Sequence, residues 1–290
     1  MNTLPTNAFT VDLEDWYQGL EIDMDDWKGF ASRIEIGVHN LLGLLEESDT
    51  RATFFILGYQ AEQTPDLIRD IKERGHEIAS HGYSHRFVYR QRPEDFRAEL
   101  RRSRDILQEI TGAPVFGYRA PFFSITSDSL WALDILAEEG FQYDSSVFPV
   151  MNYRYGIPGA SRSPDWLTTA AGNRIYEIPL STLRLPHRNL PYGLNIPLCG
   201  GGYFRLYPYR LTRALIRMLM RGGERLIFYV HPWEYDPGHP RIDTPRWGPK
   251  FTHYHNLNSM LRKTKQLLSD HRFGSIQDVF GSQMKMEAAS

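Results

Sequence analysis

The chain has 290 residues, of which 41% are hydrophobic and 23% charged, and its formal net charge is -2. These are ordinary values for a globular protein with a large core, and the length fits one barrel-sized domain or two smaller ones. The near-neutral charge gives no broad field that would attract nucleic acid or an anionic membrane. We therefore expect a neutral or mixed-charge substrate and no nucleic-acid partner.

Cysteine content and the N-terminal sequence bear on the compartment. The single cysteine, Cys199, cannot form an internal disulfide, and its neighbours include no group that would activate it as a nucleophile, so we expect a buried thiol. The first ten residues lack the basic region and the apolar core of a signal peptide, and no apolar run reaches the roughly 18 residues of a membrane span. We expect a cytoplasmic protein without a transmembrane segment, while the oligomeric state stays open.

Short β-rich runs alternate with amphipathic segments through the first half of the chain. The predicted strands are 8–13, 51–57, 76–80, 115–118 and 141–143, and the predicted helices are 34–45, 65–74, 93–112 and 127–138. This alternation predicts a parallel sheet covered by helices. In such folds functional side chains gather at the carboxyl ends of the strands.

The second half begins with residues 148–207, which are rich in proline, glycine and aromatics. Only 174–179 reads as a strand there, and we expect no regular structure in 187–207. A long loop in a compact domain is usually functional, so the segment is predicted to cover the barrel mouth; the alternative is an insertion that only packs on the barrel. A helix at 208–220, a strand at 225–230, a helix at 257–268 and a closing element at 273–279 follow. Without a repeat or a linker, 1–290 is predicted to be one domain.

Acidic residues and histidines follow two of these strands. Asp12, Glu14 and Asp15 end the first strand, and His81 and His85 lie four residues apart after the third. On a helical turn this spacing would put both imidazoles on one face, where they could bind one cation together with a carboxylate. A His-x-x-x-His pair by itself is weak evidence. The alternative is a scaffold that has lost its ion.

Three more polar residues, Arg119, Asp144 and His231, also follow predicted strands. By the strand-end rule they should converge on the same rim of the sheet as the acidic and histidine clusters. Their types complete a hydrolytic set, because an arginine can orient a carboxylate and a histidine can exchange a proton near neutral pH.

Taken together, these segments resemble the polysaccharide deacetylases of carbohydrate esterase family 4, including the chitooligosaccharide deacetylases. The likeness covers 8–150 and 225–236, with motifs similar to His81-Gly82-Tyr83-Ser84-His85, Arg119-Ala120-Pro121 and Phe228-Tyr229-Val230-His231. The stretches V-D-L-E-D-W, Y-D-S-S, G-G-G-Y-F-R-L and F-Y-V-H-P-W-E are similar to a subgroup found beside bacterial exopolysaccharide export loci.

The resemblance implies an α/β fold of the distorted (β/α) barrel type. It also implies a metal-dependent hydrolase that removes N-acetyl groups from sugar residues of a polysaccharide or its oligosaccharide precursor, in exopolysaccharide biosynthesis. The metal would be zinc, with cobalt or another divalent ion as alternatives. Two positions depart from the family pattern. Leu13 replaces the second aspartate of the first motif, and Phe123 stands where a glycine is common.

The family roles can be carried over to matching positions. His81 and His85 would hold the metal together with Glu14 or Asp15, a choice that the departure at Leu13 leaves open. The same resemblance makes Asp12 the base that takes a proton from water, with Arg119 orienting it.

On the other side of the substrate, His231 would donate a proton to the leaving amine. Asp144 is the candidate carboxylate partner of His231, although it could equally cap the turn that follows it. The backbone N–H of Phe122 would help to hold the oxyanion by family analogy. Aromatic side chains could stack on sugar rings, although aromatics are more often core: Tyr203, Phe204, Trp233 and Tyr235.

Two other functions stay open. The same scaffold could serve an amidohydrolase, with or without metal, that acts on a small cyclic ureide or imide and needs a closed pocket rather than an open groove. It could also serve a non-catalytic glycan-binding protein, although the joint presence of Asp12, His81, His85, Arg119 and His231 favours an enzyme.

Overall fold

The computed structural model describes residues 7–152, 154–185, 194–242 and 247–288. Its strands are β1 (Asn7–Leu13), β2 (Thr53–Ile56), β3 (Glu77–Ser80), β4 (Gly117–Tyr118), β5 (Tyr143–Asp144), β6 (Asp165–Thr168), β7 (Arg174–Glu177), β8 (Thr182–Leu185), β9 (Leu194–Pro197), β10 (Ile227–Val230) and β11 (Phe273–Gly274). Its helices are α1 (Ile34–Glu47), α2 (Gly58–Gln63), α3 (Pro65–Glu73), α4 (Pro93–Thr111), α5 (Trp131–Glu138), α6 (Gly201–Leu206), α7 (Tyr209–Arg221), α8 (Trp247–Tyr254), α9 (Met260–Asp270) and α10 (Ile276–Ala288).

One curled sheet carries the fold, with strand order β10-β1-β2-β3-β4-β5-β7-β6 and with β11 paired to β1. Every pair along this path is parallel except β6 with β7. The segment that follows β7 is joined to β10 by a hydrogen bond, in which Ser181 Oγ accepts from Ile227 N at 2.8 Å. The expected distorted barrel is confirmed.

The central strand and its covering helices follow from the apolar pattern. All seven residues of β1 are buried, as expected for a parallel strand that is covered on both faces. In α1 the buried face includes Ile34, Val38, Leu41, Leu42 and Leu45, which recur with a helical period, and α4 ends at Gly112, whose φ of 62° is the left-handed conformation that favours glycine. These elements match the prediction because the apolar periodicity and the capping residues of the sequence agree with the faces that are buried in the structure.

A close approach of α1 positions the turn after β10. A Cβ on Gly37 would lie 2.2 Å from the carbonyl oxygen of Pro232, so only glycine lets the helix pack against this turn. The turn is a 3₁₀ segment, Pro232–Tyr235, directly after His231. Helix α1 therefore fixes where His231 leaves the sheet.

The prediction for 187–207 is wrong in its described part. Residues 194–197 form β9, which pairs with β8, and 201–206 form α6, while 186–193 lie outside the described residues. Strands β6 and β8 were also missed, α8 was not predicted, and the closing element is the short β11 followed by α10. Short strands and a glycine-rich helix start carry little periodic signal.

In the described part of the chain, no helix combines the length and the apolar character needed to cross a membrane.

Candidate active site

Glu14, His81 and His85 meet at the carboxyl ends of β1 and β3. The Glu14 Oε1 atom lies 3.2 Å from His81 Nε2 and 2.8 Å from His85 Nε2, and all three side chains are buried. Within the described residues, their potential ligand atoms lie within 4.8 Å of one another. The two histidines and one carboxylate thus form a compact cluster of the type that binds divalent transition metals.

The hydrogen bonds around His81 fit a metal ligand. Its Nδ1 lies 2.8 Å from the Arg119 carbonyl oxygen, which can only accept, so Nδ1 donates and the lone pair of the neutral ring is on Nε2. That lone pair faces the Glu14 carboxylate, and two acceptors repel each other unless a proton or a cation lies between them. The residues present therefore fit a divalent cation.

The charges of the cluster favour the same state. Burial lowers the pKa of His85, although Glu14 opposes the change, so this ring is neutral near pH 7. Burial would raise the pKa of Glu14, but the neighbouring His85 and His231 lower it well below its usual value. A neutral imidazole beside an ionised carboxylate is the protonation state that binds a metal ion.

The helical turn expected at His81–His85 is absent from the structure. The chain after β3 is an irregular loop in which Gly82 has φ 77° and His85 has φ 56°, both left-handed. The rings still converge, with centroids 5.4 Å apart. The spacing pointed to the correct pair of histidines, but the geometry of the loop, rather than a helix, brings their rings together.

Asp15 points away from this cluster. Its Oδ1 accepts a hydrogen bond from Trp16 N at 2.8 Å, and its carboxylate also accepts bonds from Ser32 Oγ and from Arg33 N, just before α1. Of the two carboxylates left open by the sequence, the structure therefore brings Glu14 to the histidines. Asp15 instead ties the start of α1 to the end of β1.

Asp12 and Arg119 form a buried ion pair beside the cluster. The Nη1 atom of Arg119 lies 2.7 Å from Asp12 Oδ1, and the two side chains are 0% and 2% exposed. The guanidinium also donates to Thr10 Oγ1, to Ser145 O and to Ser145 Oγ, which fixes its plane. The structure thus brings Arg119 and Asp12 into contact, and the role of Arg119 in orienting a base stays a prediction.

His231 has a carboxylate partner that differs from the predicted one. Its Nδ1 lies 3.5 Å from Glu234 Oε2, and its Nε2 lies 4.0 Å from Glu14 Oε1. Burial alone would lower the pKa of His231, but the negative charges of Glu14 and Glu234 raise it to about 9. A cation bound to Glu14 would cancel part of this increase, whereas the contribution of Glu234 would remain.

Glu234 is held in turn by Arg205. The Arg205 Nε atom lies 2.9 Å from Glu234 Oε1, and both side chains are buried. Glu234 Oε2 also accepts from the backbone N of His231 at 2.9 Å. A Cβ on Gly201 would lie 1.9 Å from the same Oε2 atom, so the glycine makes room for the carboxylate. The signal in the sequence was the glutamate three residues after His231 in H-P-W-E.

The assignment of Asp144 as the partner of His231 is wrong. Both carboxylate oxygens of Asp144 accept hydrogen bonds from Ser146, one from its backbone N and one from its Oγ, so the turn-cap alternative is the correct one. Asp144 also shares a hydrogen bond with the buried Glu177. In the described chain no contact joins Asp144 to His231, because Asp144 lies within β5 and faces Glu177.

The aromatic candidates divide into two groups. Tyr203, Trp233 and Phe122 line the cavity that also contains Asp12, Glu14 and His231 in its wall. Phe204 and Tyr235, in contrast, are fully buried. The Tyr235 hydroxyl lies 3.0 Å from Thr264 Oγ1, and Phe204 packs edge-on against Phe228. Phe204 and Tyr235 are therefore core residues and not stacking platforms. The role of the Phe122 N–H stays a prediction.

The cavity has a volume of about 420 Å³ and has Asp12, Glu14 and His231 in its wall. Sequence reasoning missed His253, a buried residue of this wall that stacks on Trp233 with centroids 3.9 Å apart. Trp233 stacks in turn on His231 at 5.1 Å. Burial lowers the pKa of His253 well below its usual value, aided by His239 and Arg205, so the ring is neutral. No motif marks His253, because its position depends on the fold of α8.

Comparisons with known proteins divide the chain in two. Residues 26–143 match the family model described as polysaccharide deacetylase, and residues 145–281 match one described as a domain of unknown function, DUF3473. The first region contains His81, His85 and Arg119, and the second contains His231 and Glu234.

Two curated relatives are named as deacetylases. A peptidoglycan deacetylase of Helicobacter pylori is 29% identical over 113 residues, which cover 39% of this chain and 38% of the relative. A peptidoglycan-N-acetylglucosamine deacetylase of Bacillus cereus is 33% identical over 96 residues, which cover 32% of this chain and 34% of the relative. This chain therefore spans little more than a third of the length of these relatives.

A crystal structure described as a polysaccharide deacetylase of Mycobacterium smegmatis superposes with a TM-score of 0.63 at 21% identity, covering 99% of this chain and 93% of that one. At this identity the match shows the shared fold. Together with the family model and the curated relatives, it confirms the resemblance drawn from the motifs. Residues 26–143 are thus similar to the polysaccharide deacetylase domain, as the motifs indicated.

Proposed function

We propose that this protein is a metal-dependent hydrolase that removes N-acetyl groups from sugar residues of a polysaccharide or of its oligosaccharide precursor. The observation that carries the proposal is the meeting of the Glu14–His81–His85 cluster, the Asp12–Arg119 pair and His231 at one cavity. Hydrolysis of an acetamide needs activated water, a stabilised oxyanion and a proton for the amine. The arrangement offers a residue or a residue cluster for each of these three requirements.

Glu14, His81 and His85 would hold the cation. When bound, a divalent ion supplies Lewis acidity toward the acetyl carbonyl and lowers the pKa of water. Two nitrogen ligands and one carboxylate favour zinc among the common divalent ions, with cobalt or another divalent ion as a substitute. Asp15 has no part in this assignment, because its oxygens are engaged with α1.

Asp12 is the proposed base. Arg119 holds one of its carboxylate oxygens at 2.7 Å, so the side chain has one orientation toward the cavity. The carboxylate takes a proton from the attacking water, while Arg119 holds it in place.

His231 is the proposed acid. Glu234 lies on the Nδ1 side, so the Nε2 side, which faces Glu14, is the one available to the leaving amine. Glu234, which stays beside the ring when a cation is bound to Glu14, helps to raise the pKa of His231 and so favours the protonated ring, which can deliver a proton as the C–N bond breaks. The stack of Trp233 against His231 restricts the ring to one plane.

We further propose that the substrate is an exopolysaccharide precursor. We also propose that residues 1–290 form a single domain. The single domain is supported by β1, which pairs with β2 on one side and with β10 of the second region on the other. Arg154, Tyr155 and Tyr203 of the segment 148–207 line the cavity, which supports its role at the barrel mouth. A cytoplasmic location stays a prediction, which fractionation of the source cells tests.

The test is a screen for acetate release with the wild-type protein. N-acetylated oligosaccharides should release acetate and leave a free amine on the sugar, whereas cyclic ureides and imides should not be opened. Ring opening without acetate release would replace the proposal with the amidohydrolase alternative. Glycan binding without turnover of any compound would favour the non-catalytic alternative.

A further inference from the structure

The outer face of α7 carries an unusual concentration of positive charge. The helix contains four arginines and no acidic residue, while its inner face buries Thr212, Ile216 and Leu219. At 3.6 residues per turn, Arg210, Arg217 and Arg221 fall within about 40° of one another on the opposite side. The whole chain has a net charge of -2, so this stripe is a local feature.

These charges are not neutralised by neighbouring acids. Arg213, at the edge of the stripe, pairs with Asp270 at 3.1 Å. Across the described ranges, the remaining arginines, Arg210, Arg217 and Arg221, form no ion pair. By contrast, the exposed arginines of α4 are bound by acids, as Arg97 and Arg101 are by Glu139.

Large apolar side chains lie beside the arginines. Leu211 and Met218, seven residues apart on the same side of α7, are 45% and 50% exposed. Burying such side chains is favourable, and leaving two of them in water beside a cationic stripe marks a contact surface. The outer face of α7 therefore has a cationic half and an apolar half.

This face leads to the mouth of the active-site cavity. Leu206, which ends α6 three residues before α7, is 48% exposed and lines the cavity. Phe251 of α8 also lines the cavity and is 42% exposed. Leu206 and Phe251 thus form an apolar rim at the mouth, and α7 begins a few residues after Leu206.

We propose that the α7 face, defined as Arg210, Leu211, Met218, Arg217 and Arg221, docks on an anionic membrane surface. Guanidinium groups match lipid phosphates, and the apolar half matches the boundary between headgroups and acyl chains. Nucleic acid would use the arginines but not Leu211 and Met218. A second copy in a two-fold contact would face the arginine stripe with itself, which is repulsive.

The inference goes beyond the proposed deacetylase function and does not depend on it, because membrane binding is measured without turnover.

The test is co-sedimentation of the full chain with vesicles of phosphatidylcholine alone and of phosphatidylcholine with phosphatidylglycerol. We expect binding to the anionic vesicles, which weakens as salt is raised. The triple variant R210Q/R217Q/R221Q should lower the apparent affinity about tenfold or more, and L211S/M218S should lower it as well. A triple variant of α3, R69Q/K72Q/R74Q, removes the same charge elsewhere and should bind like the wild type.

The outcomes separate the possible partners. A wild type that fails to bind anionic vesicles at low salt, or an α3 variant that loses as much affinity as the α7 variant, overturns the proposal. If vesicle binding is absent, two other results would also overturn the proposal. One is binding to RNA that depends on the arginines but not on Leu211 and Met218. The other is a dimer that the L211S/M218S variant no longer forms. Acetate release from a small water-soluble oligosaccharide should be equal in the wild type and the α7 variants, and this readout tests the proposed function separately.

Discussion

The two halves of the chain place their functional residues in different ways. In the first half, Glu14, His81 and Arg119 each follow directly after a parallel strand, so the sheet alone brings them to one rim. In the second half, His231 follows β10 in the same way, but its partner Glu234 comes from a 3₁₀ turn, and Arg205, which holds Glu234, comes from the short α6. The proposed cation ligands therefore depend on sheet order, whereas the surroundings of His231, the proposed acid, depend on close tertiary contacts.

Two glycines make those close contacts possible. Without a Cβ, Gly37 lets α1 press on the turn after His231, and Gly201 leaves room for the Glu234 carboxylate. Packing changes in the second half can thus disturb Glu234 and His231 while the Glu14–His81–His85 cluster of the first half stays intact.

The largest expected effect is the loss of the metal cluster. Glu14→Gln should abolish both metal binding and acetate release, because the cluster loses its only charged ligand. The matched variant Asp15→Asn should keep the metal and the activity but unfold at lower temperature, with a cost of about 1–2 kcal/mol for weakened bonds to the start of α1. Metal content and thermal unfolding measure both. Loss of metal in Asp15→Asn with full metal in Glu14→Gln would reverse the assignment.

The next effect separates the base from the metal. Asp12→Asn should lower kcat by about 10²- to 10⁴-fold while metal content stays near that of the wild type. The physical reason is that the amide cannot take the water proton, although it keeps the shape of the carboxylate beside Arg119. Steady-state kinetics on an N-acetylated oligosaccharide, with metal analysis on the same sample, makes the measurement. An Asp12→Asn enzyme with the full rate would remove Asp12 from the mechanism.

A smaller effect tests the second half alone. Glu234→Gln should lower kcat by about 10- to 100-fold, as expected for loss of a residue that orients a functional imidazole. It removes a negative charge that raises the pKa of His231, which is about 9, so the alkaline limb of the pH–rate profile should move to lower pH. Asp144→Asn is the control and should leave this limb in place. A shift in Asp144→Asn but not in Glu234→Gln would restore the prediction made from sequence.

Because Glu234→Gln also leaves Arg205 buried without an anion, its folding must be checked. Breaking a buried pair in this way costs about 3–5 kcal/mol in typical proteins. Glu234→Asp keeps the charge and should recover part of both the stability and the alkaline limb.

The smallest effect concerns stability near β5 and β7. Burial raises the pKa of Asp144, and it raises the pKa of Glu177 well above its usual value. The folded chain then holds protons that the unfolded chain has released, so stability should fall as the pH rises above the ordinary carboxyl range. Glu177→Gln should flatten this dependence and gain about 1–2 kcal/mol at pH 8 relative to the wild type. Thermal unfolding at several pH values is the measurement, and an equally steep decline in the variant would contradict the account.

The sequence predicted the first half well because its signals are local. Runs such as β1 and helices such as α1 carry the periodicity of their burial. Glu14, His81 and Arg119 converge as expected, whereas Asp15 and Asp144 do not. The choice between Glu14 and Asp15 could not be made, because it depends on how the chain turns after β1. That turn is set by Ser32 and Arg33, which are remote in sequence.

In the second half the decisive contacts join distant residues. Glu234 meets Arg205 across 29 positions, and His253 reaches the cavity through α8, so neither could be inferred from spacing. From the sequence alone, the core residues Phe204 and Tyr235 cannot be distinguished from Tyr203 and Trp233, which line the cavity. Only the packing of α6 and of the turn after β10 decides which aromatic faces the cavity.

The most direct measurement of the central claim is metal removal and restoration on the wild-type protein. Acetate release and metal content are followed in one sample, before chelation, after chelation and after addition of zinc. We predict about one equivalent of metal per chain, a rate that falls to background as the metal is removed, and recovery on addition of zinc. An unchanged rate after verified removal of the metal would contradict the assignment of Glu14, His81 and His85.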